Sequence, residues 1–135
     1  MILGFSTINK RTKELTHFVV KIELGIKLHT LRRGTRWKQG MSIQMATGVR
    51  TKNYNQFNVR KPELQLCKSV QSIKLKRVDD LTECIIIIDG RELSLEESQQ
   101  VAWNDGFSCL ADFWIWFNNP DEFPDQIIHW TDLKY

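Results

Sequence analysis

Hydrophobic and polar positions alternate over the first third of the chain and predict two short strands around a helix. Ile2–Ile8 alternates and predicts a first strand. Thr16 is placed to cap a short helix, which Gly25 is placed to end. The next alternating segment, residues 28–32, predicts a second strand that Gly34 closes. In that strand Thr30 and Arg32 lie on one face.

The middle of the chain alternates more regularly and predicts further strands. Met41–Ala46 predicts a strand, and the polar segment Thr47–Asn58 that follows predicts a long loop. Val70–Val78 predicts a strand with one solvated face, and Cys84–Ile88 predicts a central strand because it is apolar and β-branched. Asp89-Gly90 then predicts a two-residue hairpin turn.

The last third of the chain carries helix signals. Ser94 and Glu97 have capping-box spacing, and the helix they open is expected to end at 104–106. Ser108 is placed to cap an aromatic helix, Cys109–Phe117, and Gln126–Trp130 predicts a final strand. Six or seven strands without regular β-α-β alternation favour an α+β fold: a small mixed β-barrel flanked by short helices, in a single domain over residues 1–135.

Charge is distributed unevenly along the chain although the net charge is only +3. Residues 1–61 carry 13 Lys and Arg against 2 acids, whereas residues 62–135 carry 6 against 14. Such a division predicts a positive face for a polyanion. The alternative is that the acidic half lies against the basic half.

Cysteine and histidine spacing favours neither disulfides nor a metal site. The three cysteines are widely spaced with no Cys-x-x-Cys pair, and the three histidines lack ligand spacing. We therefore expect reduced thiols, no metal and no cofactor. No apolar run approaches the roughly 18 residues of a membrane span, and no secretory signal is evident, so we expect a cytoplasmic protein without a membrane partner. The pattern leaves the oligomeric state open.

The densest cationic segment is Gly25–Gly40, which gathers five basic residues around Thr30 and Trp37 with no acid among them. Like charges repel over roughly 8 Å at physiological ionic strength, so this density favours a bound anion or π-rich ligand. The alternative is a solvated basic turn.

The motif Gly25-x-Lys27-x-x-Thr30-x-Arg32, then Trp37-Lys38-x-Gly40, and later Asp105-Gly106-Phe107 before an aromatic helix, resembles the ASCH domain family. The resemblance implies a PUA-like β-barrel and binding of RNA. It covers most of the chain, from about Ile2 to Phe117 with a closing strand. Some bacterial members are amidohydrolases of N4-acetylcytidine, in which a lysine, a threonine and a downstream acid act as base, nucleophile and proton donor.

Carried over to this chain, the resemblance implies Lys27 as base, Thr30 as nucleophile and Asp105 as the nearest match to the acid. The family's acid is a glutamate, so Asp105 is about one methylene short. Lys27 and Thr30 also point to opposite faces of a regular strand, so Lys27 is expected in the turn that precedes the strand. A lysine base further requires burial or neighbouring cations to lower its pKa.

The same residues suit recognition without proton transfer. Lys27 and Arg32 can hold a phosphate or a base edge, and Trp37, Tyr54 or Phe57 can stack on a base. Asp105 would accept a hydrogen bond from an exocyclic amine, or serve only as a turn residue at a helix end. The leading hypothesis is a pocket for RNA or an RNA-derived nucleoside or nucleotide. The predicted ligand-binding residues are Lys27, Thr30, Arg32, Arg33, Arg36, Trp37, Arg50, Tyr54 and Asp105.

Two alternatives remain at this point. One is an amidohydrolase that acts on N4-acetylcytidine or a related acylated nucleoside. The other is a protein-interaction module that uses Trp114, Trp116 and Trp130, which predicts a contiguous exposed aromatic patch.

Overall fold

The structure, a computed structural model, describes residues 1–78 and 84–135. Within these residues eight strands and three α-helices are present. In chain order the strands are β1 (Ile2–Gly4), β2 (His29–Arg32), β3 (Gln44–Thr47), β4 (Asn55–Gln56), β5 (Ser69–Arg77), β6 (Cys84–Ile88), β7 (Arg91–Glu92) and β8 (Gln126–His129). The helices are α1 (Phe18–Glu23), α2 (Leu95–Asn104) and α3 (Leu110–Trp116).

The strands form two sheets, a three-stranded one in the order β1-β3-β4 and a five-stranded one in the order β2-β8-β5-β6-β7. This confirms the α+β class, but the described strands do not close into a single barrel. The sheets meet where the Arg32 side chain of β2 donates a hydrogen bond to the backbone carbonyl of Gly4 in β1. Strands β1 and β2 are therefore joined by a side-chain hydrogen bond, whereas a closed barrel requires backbone hydrogen bonds between neighbouring strands.

The smaller sheet contains a parallel pair with a long crossover. Strand β1 pairs in parallel with β3 over Ile2–Gly4, and the connection between them carries α1 and β2. Strand β4 pairs antiparallel with β3, so the predicted loop Thr47–Asn58 is a hairpin. Strand β4 was not predicted, because a two-residue strand has too few positions to show alternation.

The larger sheet follows the predicted patterns closely. Alternating positions of β5 are buried, and the hairpin from β6 to β7 turns at Asp89 and Gly90, which have φ of 50° and 80° as a two-residue turn requires. Strand β6 lies between β5 and β7, one strand from the edge.

The helix boundaries differ from prediction by one residue at two caps. Helix α1 is capped by His17 rather than Thr16, and α3 by Cys109 rather than Ser108, in both cases without a side-chain hydrogen bond. The Ser94 capping box of α2 is confirmed. Among the described residues no helix has the length and apolarity to cross a membrane.

Two apolar clusters form the core, one around Trp37 and Trp130 and one around Phe113. Trp130 is buried, while Trp114 and Trp116 are half-buried against neighbouring rings. The three tryptophans therefore do not form the contiguous exposed patch on which the interaction-module hypothesis depends, because Trp130 packs against Phe5 in the core and neighbouring rings cover part of the other two.

Gly106 ends α2 in a tight place that only glycine fits well. Its φ is +94°, and an added Cβ would lie 3.2 Å from Cδ of Lys27 and 3.3 Å from the ring of Phe18. Gly25, which ends α1 as predicted, has φ of +72° but open space around it.

We predict that Gly106→Ala lowers the free energy of unfolding by about 1–3 kcal/mol, because it adds both backbone strain and a steric clash. Urea denaturation measures the loss. Gly25→Ala is the matched control, since it adds strain without a clash and should lower the free energy of unfolding by only about 1 kcal/mol. Equal losses in the two variants would show that the contact with Lys27 and Phe18 is not tight.

Candidate functional site

Four of the predicted site residues line one cavity of about 200 Å³, which we call the inner cavity. They are Lys27, Thr30, Arg32 and Asp105. Aromatic rings supply much of the remaining wall, from Phe5, Phe18, Phe107, Trp116 and Phe117. The side chains that the motif places 75 positions apart in sequence therefore meet in space.

The backbone explains how Lys27 and Thr30 reach the same cavity. Lys27 lies in the turn before β2, where its N–H donates to the carbonyl of Lys21 at 3.0 Å. The next N–H, of Leu28, donates to the carbonyl of Asn104 at 2.7 Å, which ties this turn to the end of α2. Strand alternation begins after Lys27, so the expected position of Lys27 in the turn is confirmed. Thr30 and Arg32 share one face of β2 as predicted.

Lys27 and Asp105 form a buried ion pair at the base of the inner cavity. The Lys27 amine donates to the Asp105 carboxylate at 2.9 Å and to the Asp105 backbone carbonyl at 2.5 Å. The two side chains are 1% and 4% exposed. Burial lowers the pKa of Lys27 below its ordinary value, while the Asp105 charge and hydrogen bond oppose that shift.

Aromatic and backbone contacts complete the surroundings of the ion pair. The Lys27 amine lies 4.5 Å from the centroid of the Phe18 ring, a cation–π distance. Lys21 donates to the carbonyl of Gly106 at 2.6 Å, which fixes the residue after Asp105. Two of the three N–H groups of Lys27 are used by Asp105, so one is left for a ligand.

Arg32 forms the wall of the cavity on the side of β1. Its guanidinium donates to the carbonyl of Gly4 and lies 5.3 Å from the Phe5 ring centroid. Burial lowers the pKa of Arg32 to about 10, so the group stays charged at neutral pH. Its remaining donors suit a carbonyl or phosphate oxygen.

Thr30 contributes a hydroxyl whose hydrogen-bonding capacity is not used by the described part of the chain. The side chain is buried, at 5% exposure, and lines the inner cavity. Among residues 1–78 and 84–135 its hydroxyl makes no hydrogen bond. It is therefore a donor and acceptor available to a ligand.

A buried polar network, which sequence reasoning missed, lies next to Asp105. His29 Nδ1 lies 3.5 Å from the Asp105 carboxylate, and His29 Nε2 lies 2.6 Å from the hydroxyl of Tyr135. Asn104 donates to the same hydroxyl at 2.9 Å. Burial lowers the pKa of His29, so the ring is neutral. The contact with Asp105 lies outside hydrogen-bond geometry, but the negative charge of the carboxylate favours a proton on Nδ1, so Nε2 accepts from Tyr135.

The network continues to a second buried histidine with the opposite tautomer. Gln71 donates to Asp89 at 2.9 Å and to the Tyr135 carbonyl at 2.8 Å, which fixes its amide orientation. The amide oxygen of Gln71 therefore accepts from His129 Nε2 at 3.0 Å. Burial is the main cause that lowers the pKa of His129, to about 3, so its ring is neutral with the proton on Nε2.

A larger cleft of about 530 Å³ adjoins the inner cavity, and we call it the outer cleft. It contains the remaining predicted site residues, namely Arg33, Arg36, Trp37, Arg50 and Tyr54, together with Arg32. The three arginines beyond Arg32 are exposed, and Tyr54 is 44% exposed. The Tyr54 ring, predicted to stack on a base, is therefore accessible from the outer cleft.

Trp37 differs from the other predicted residues because its ring is buried, at 2% exposure. Its backbone N–H donates to the Gln126 side chain at 3.2 Å, and the Gln126 amide donates to the Trp37 carbonyl at 3.1 Å. The Trp37 ring, which was predicted to stack on a base, is therefore buried in the core. The backbone hydrogen bonds between Trp37 and Gln126 hold the basic loop against β8. Phe57 is likewise half-buried, against Phe5.

The acidic half of the chain neutralises the basic half only in part. Within the described ranges, cross-half pairs of lysine or arginine with a carboxylate are limited to Arg11 with Glu122 and Lys27 with Asp105. Neither Asp nor Glu lines the outer cleft in that same part of the chain. Its arginines therefore present an uncompensated positive surface.

Comparison with protein-family models, curated proteins and solved structures gave no match to this chain. The described residues also contain no cluster of three or more His, Cys, Asp or Glu side chains placed to hold a metal ion. Function must therefore be inferred from the two adjoining cavities.

We predict that His29 carries its proton on Nδ1 and His129 on Nε2 at pH 7. Long-range ¹H–¹⁵N NMR correlation distinguishes the two tautomers. Tyr135→Phe removes the hydroxyl that donates to His29 and should shift the Nε2 resonance of His29, while the Asp105 carboxylate keeps the proton on Nδ1 and His129 is unchanged. Identical tautomers for both rings, or a His29 spectrum unaffected by Tyr135→Phe, would contradict the hydrogen-bond directions assigned to this network.

Proposed function

We propose that this chain is an RNA-binding or nucleotide-binding domain of the ASCH type, with a PUA-like arrangement of strands, and that the inner cavity receives a nucleobase. The observation that carries the proposal is the convergence of Lys27, Thr30, Arg32 and Asp105 on one aromatic-walled cavity. The motif resemblance supports it, because these four residues are the ones that the motif singles out.

The chemistry of the inner cavity suits a base edge. Thr30 offers a hydroxyl, Lys27 one ammonium N–H and Arg32 several guanidinium N–H groups, while the Asp105 carboxylate accepts. Unpaired bases are recognised by such edge hydrogen bonds together with contact to aromatic rings, each stacked base contributing about 1–3 kcal/mol. The rings of Phe5 and Phe18 lie in the same wall.

We predict that a short single-stranded RNA binds the protein with a Kd that rises with salt concentration, because arginine contacts to phosphate release counterions. Thr30→Val and Arg32→Gln should each raise Kd about tenfold, equivalent to ~1.4 kcal/mol. Fluorescence anisotropy of a labelled oligonucleotide measures both effects.

Lys74→Gln is the matched control for Arg32→Gln. Lys74 is an exposed cation on β5 and lines neither cavity, so its loss should leave Kd nearly unchanged. Binding that is independent of salt, or an equal loss in Arg32→Gln and Lys74→Gln, would remove the proposal.

A second candidate function, amidohydrolysis of an acylated nucleoside, is favoured by one observation. The unbonded Thr30 hydroxyl and the Lys27 amine, whose pKa burial lowers, line the same cavity. In that reaction the Thr30 oxygen attacks the amide carbonyl and forms an ester, the amine leaves with a proton, and water hydrolyses the ester. We rank it second because Asp105 accepts hydrogen bonds from Lys27 and is not placed here as a proton donor.

If the second candidate is correct, the protein releases cytidine from N4-acetylcytidine. Chromatography measures the cytidine that is formed. Thr30→Val should reduce the rate by at least about 100-fold, since the nucleophile is lost. Gln44→Ala, at an exposed position of β3 outside both cavities, is the control and should retain the full rate. Turnover no faster than in buffer, or turnover unaffected by Thr30→Val, would exclude this reaction.

A further inference from the structure

The inner cavity and the outer cleft share a wall. Gly4 and Arg32 line both of them. The inner cavity, at about 200 Å³, is smaller than the roughly 300–1,000 Å³ of typical ligand pockets, whereas the outer cleft, at about 530 Å³, lies within that range. A ligand larger than one ring system would exceed the inner cavity, and the space adjoining it is the outer cleft, on the other side of the Arg32–Gly4 contact.

The outer cleft has the chemistry of a phosphate site. It collects Arg32, Arg33, Arg36 and Arg50 without an acidic residue from the described part of the chain. The guanidinium fork matches phosphate oxygens in pairs and stays charged at any physiological pH. The loop that carries Arg33 and Arg36 is anchored through buried Trp37, so these two arginines start from a fixed backbone.

Arg50 adds an independent observation, because its backbone is strained. Its φ is +64°, in the left-handed region where glycine is the favoured residue. The turn is nonetheless well made, since Thr51 donates to the carbonyl of Gly48 from its N–H at 3.0 Å and from its hydroxyl at 2.7 Å. Strained non-glycine residues cluster at ligand sites. Arg50 lines the outer cleft, so the strained backbone conformation places a fourth arginine at this cleft.

We propose that the outer cleft binds the phosphate of a nucleotide whose base enters the inner cavity, so that the ligand is a phosphorylated nucleotide, free or within RNA, and not a nucleoside. This inference rests on the proposed function, which places the base in the inner cavity. Arg32, on the shared wall, contacts the ligand where the base and the phosphate are joined through the sugar.

The first experiment compares each of the four ribonucleosides with its 5′-monophosphate, and both with a four-residue RNA and with inorganic phosphate. NMR titration of the backbone amides gives Kd for each. At 50 mM salt the preferred monophosphate should bind about tenfold more tightly than its nucleoside, and the difference should shrink as salt rises. Tighter binding of the four-residue RNA than of the monophosphate identifies RNA as the source of the nucleotide, and the reverse identifies the free nucleotide.

A charge-matched pair of double variants locates the phosphate. Arg33→Gln with Arg36→Gln should abolish the advantage of the monophosphate while leaving nucleoside binding intact. Lys74→Gln with Lys76→Gln removes the same charge from the exposed face of β5, outside both cavities, and should preserve that advantage.

Arg50→Gly separates binding from folding. Relief of the strained φ should leave the midpoint of urea unfolding equal to or above that of the parent, while monophosphate binding weakens several-fold. Lys13→Gly is the matched control, because exposed Lys13 has the same φ of 64° but lies outside both cavities, so it should change stability without changing binding.

These experiments separate the phosphate site in the outer cleft from the proposed function, which places a base in the inner cavity. Equal affinity for nucleoside and monophosphate would overturn this inference and leave the proposed function standing. Inorganic phosphate bound as tightly as the monophosphate would overturn both claims, since the base would then contribute nothing to binding. Binding of neither nucleosides, nucleotides nor RNA would overturn the proposed function itself.

Discussion

The buried ion pair between Lys27 and Asp105 is the interaction on which the architecture of the site depends. Moving two charges out of water carries a desolvation penalty of several kcal/mol per ion, and only close geometry with further hydrogen bonds offsets it. Here the carboxylate and the backbone carbonyl of Asp105 both accept from the same amine, and an aromatic ring lies beneath it. The pair therefore fixes the end of α2 against the turn before β2. Loss of either partner would leave an unpaired buried charge, which typically lowers stability by about 3–5 kcal/mol.

The surroundings of this pair explain several residues that have no role of their own in ligand contact. Gly106 is needed because a Cβ at this position would lie only 3.2 Å from the Lys27 stem. Tyr135, His29 and Asn104 form a hydrogen-bonded layer next to Asp105, in which the Tyr135 hydroxyl bonds both His29 Nε2 and the Asn104 amide. The carboxylate itself is held by the hydrogen bond from the Lys27 amine, and its orientation matters whether the cavity binds a base or transfers a proton.

Local sequence patterns predicted the elements whose formation depends on near neighbours. The alternation of β5, the Asp89-Gly90 turn and the Ser94 capping box each follow from residues a few positions apart. The convergence of Lys27, Thr30, Arg32 and Asp105 was predicted from the motif resemblance together with the strand geometry of β2. Patterns did not reveal the layer next to Asp105, because His29 and Tyr135 are separated by 106 positions and each is an ordinary isolated polar residue in sequence. The burial of Trp37 was missed for a similar reason, since its partner Gln126 lies 89 positions away.

The parallel pairing of β1 with β3 has a consequence for how the site is assembled. Strand β1 spans only three residues, and one of them, Gly4, forms part of both cavities. The crossover that separates β1 from its partner also carries Lys27, Thr30 and Arg32, so closing this large loop brings these three residues to Gly4. Detachment of so short an edge strand would open both compartments together, which makes ligand occupancy and the docking of the first strand thermodynamically linked.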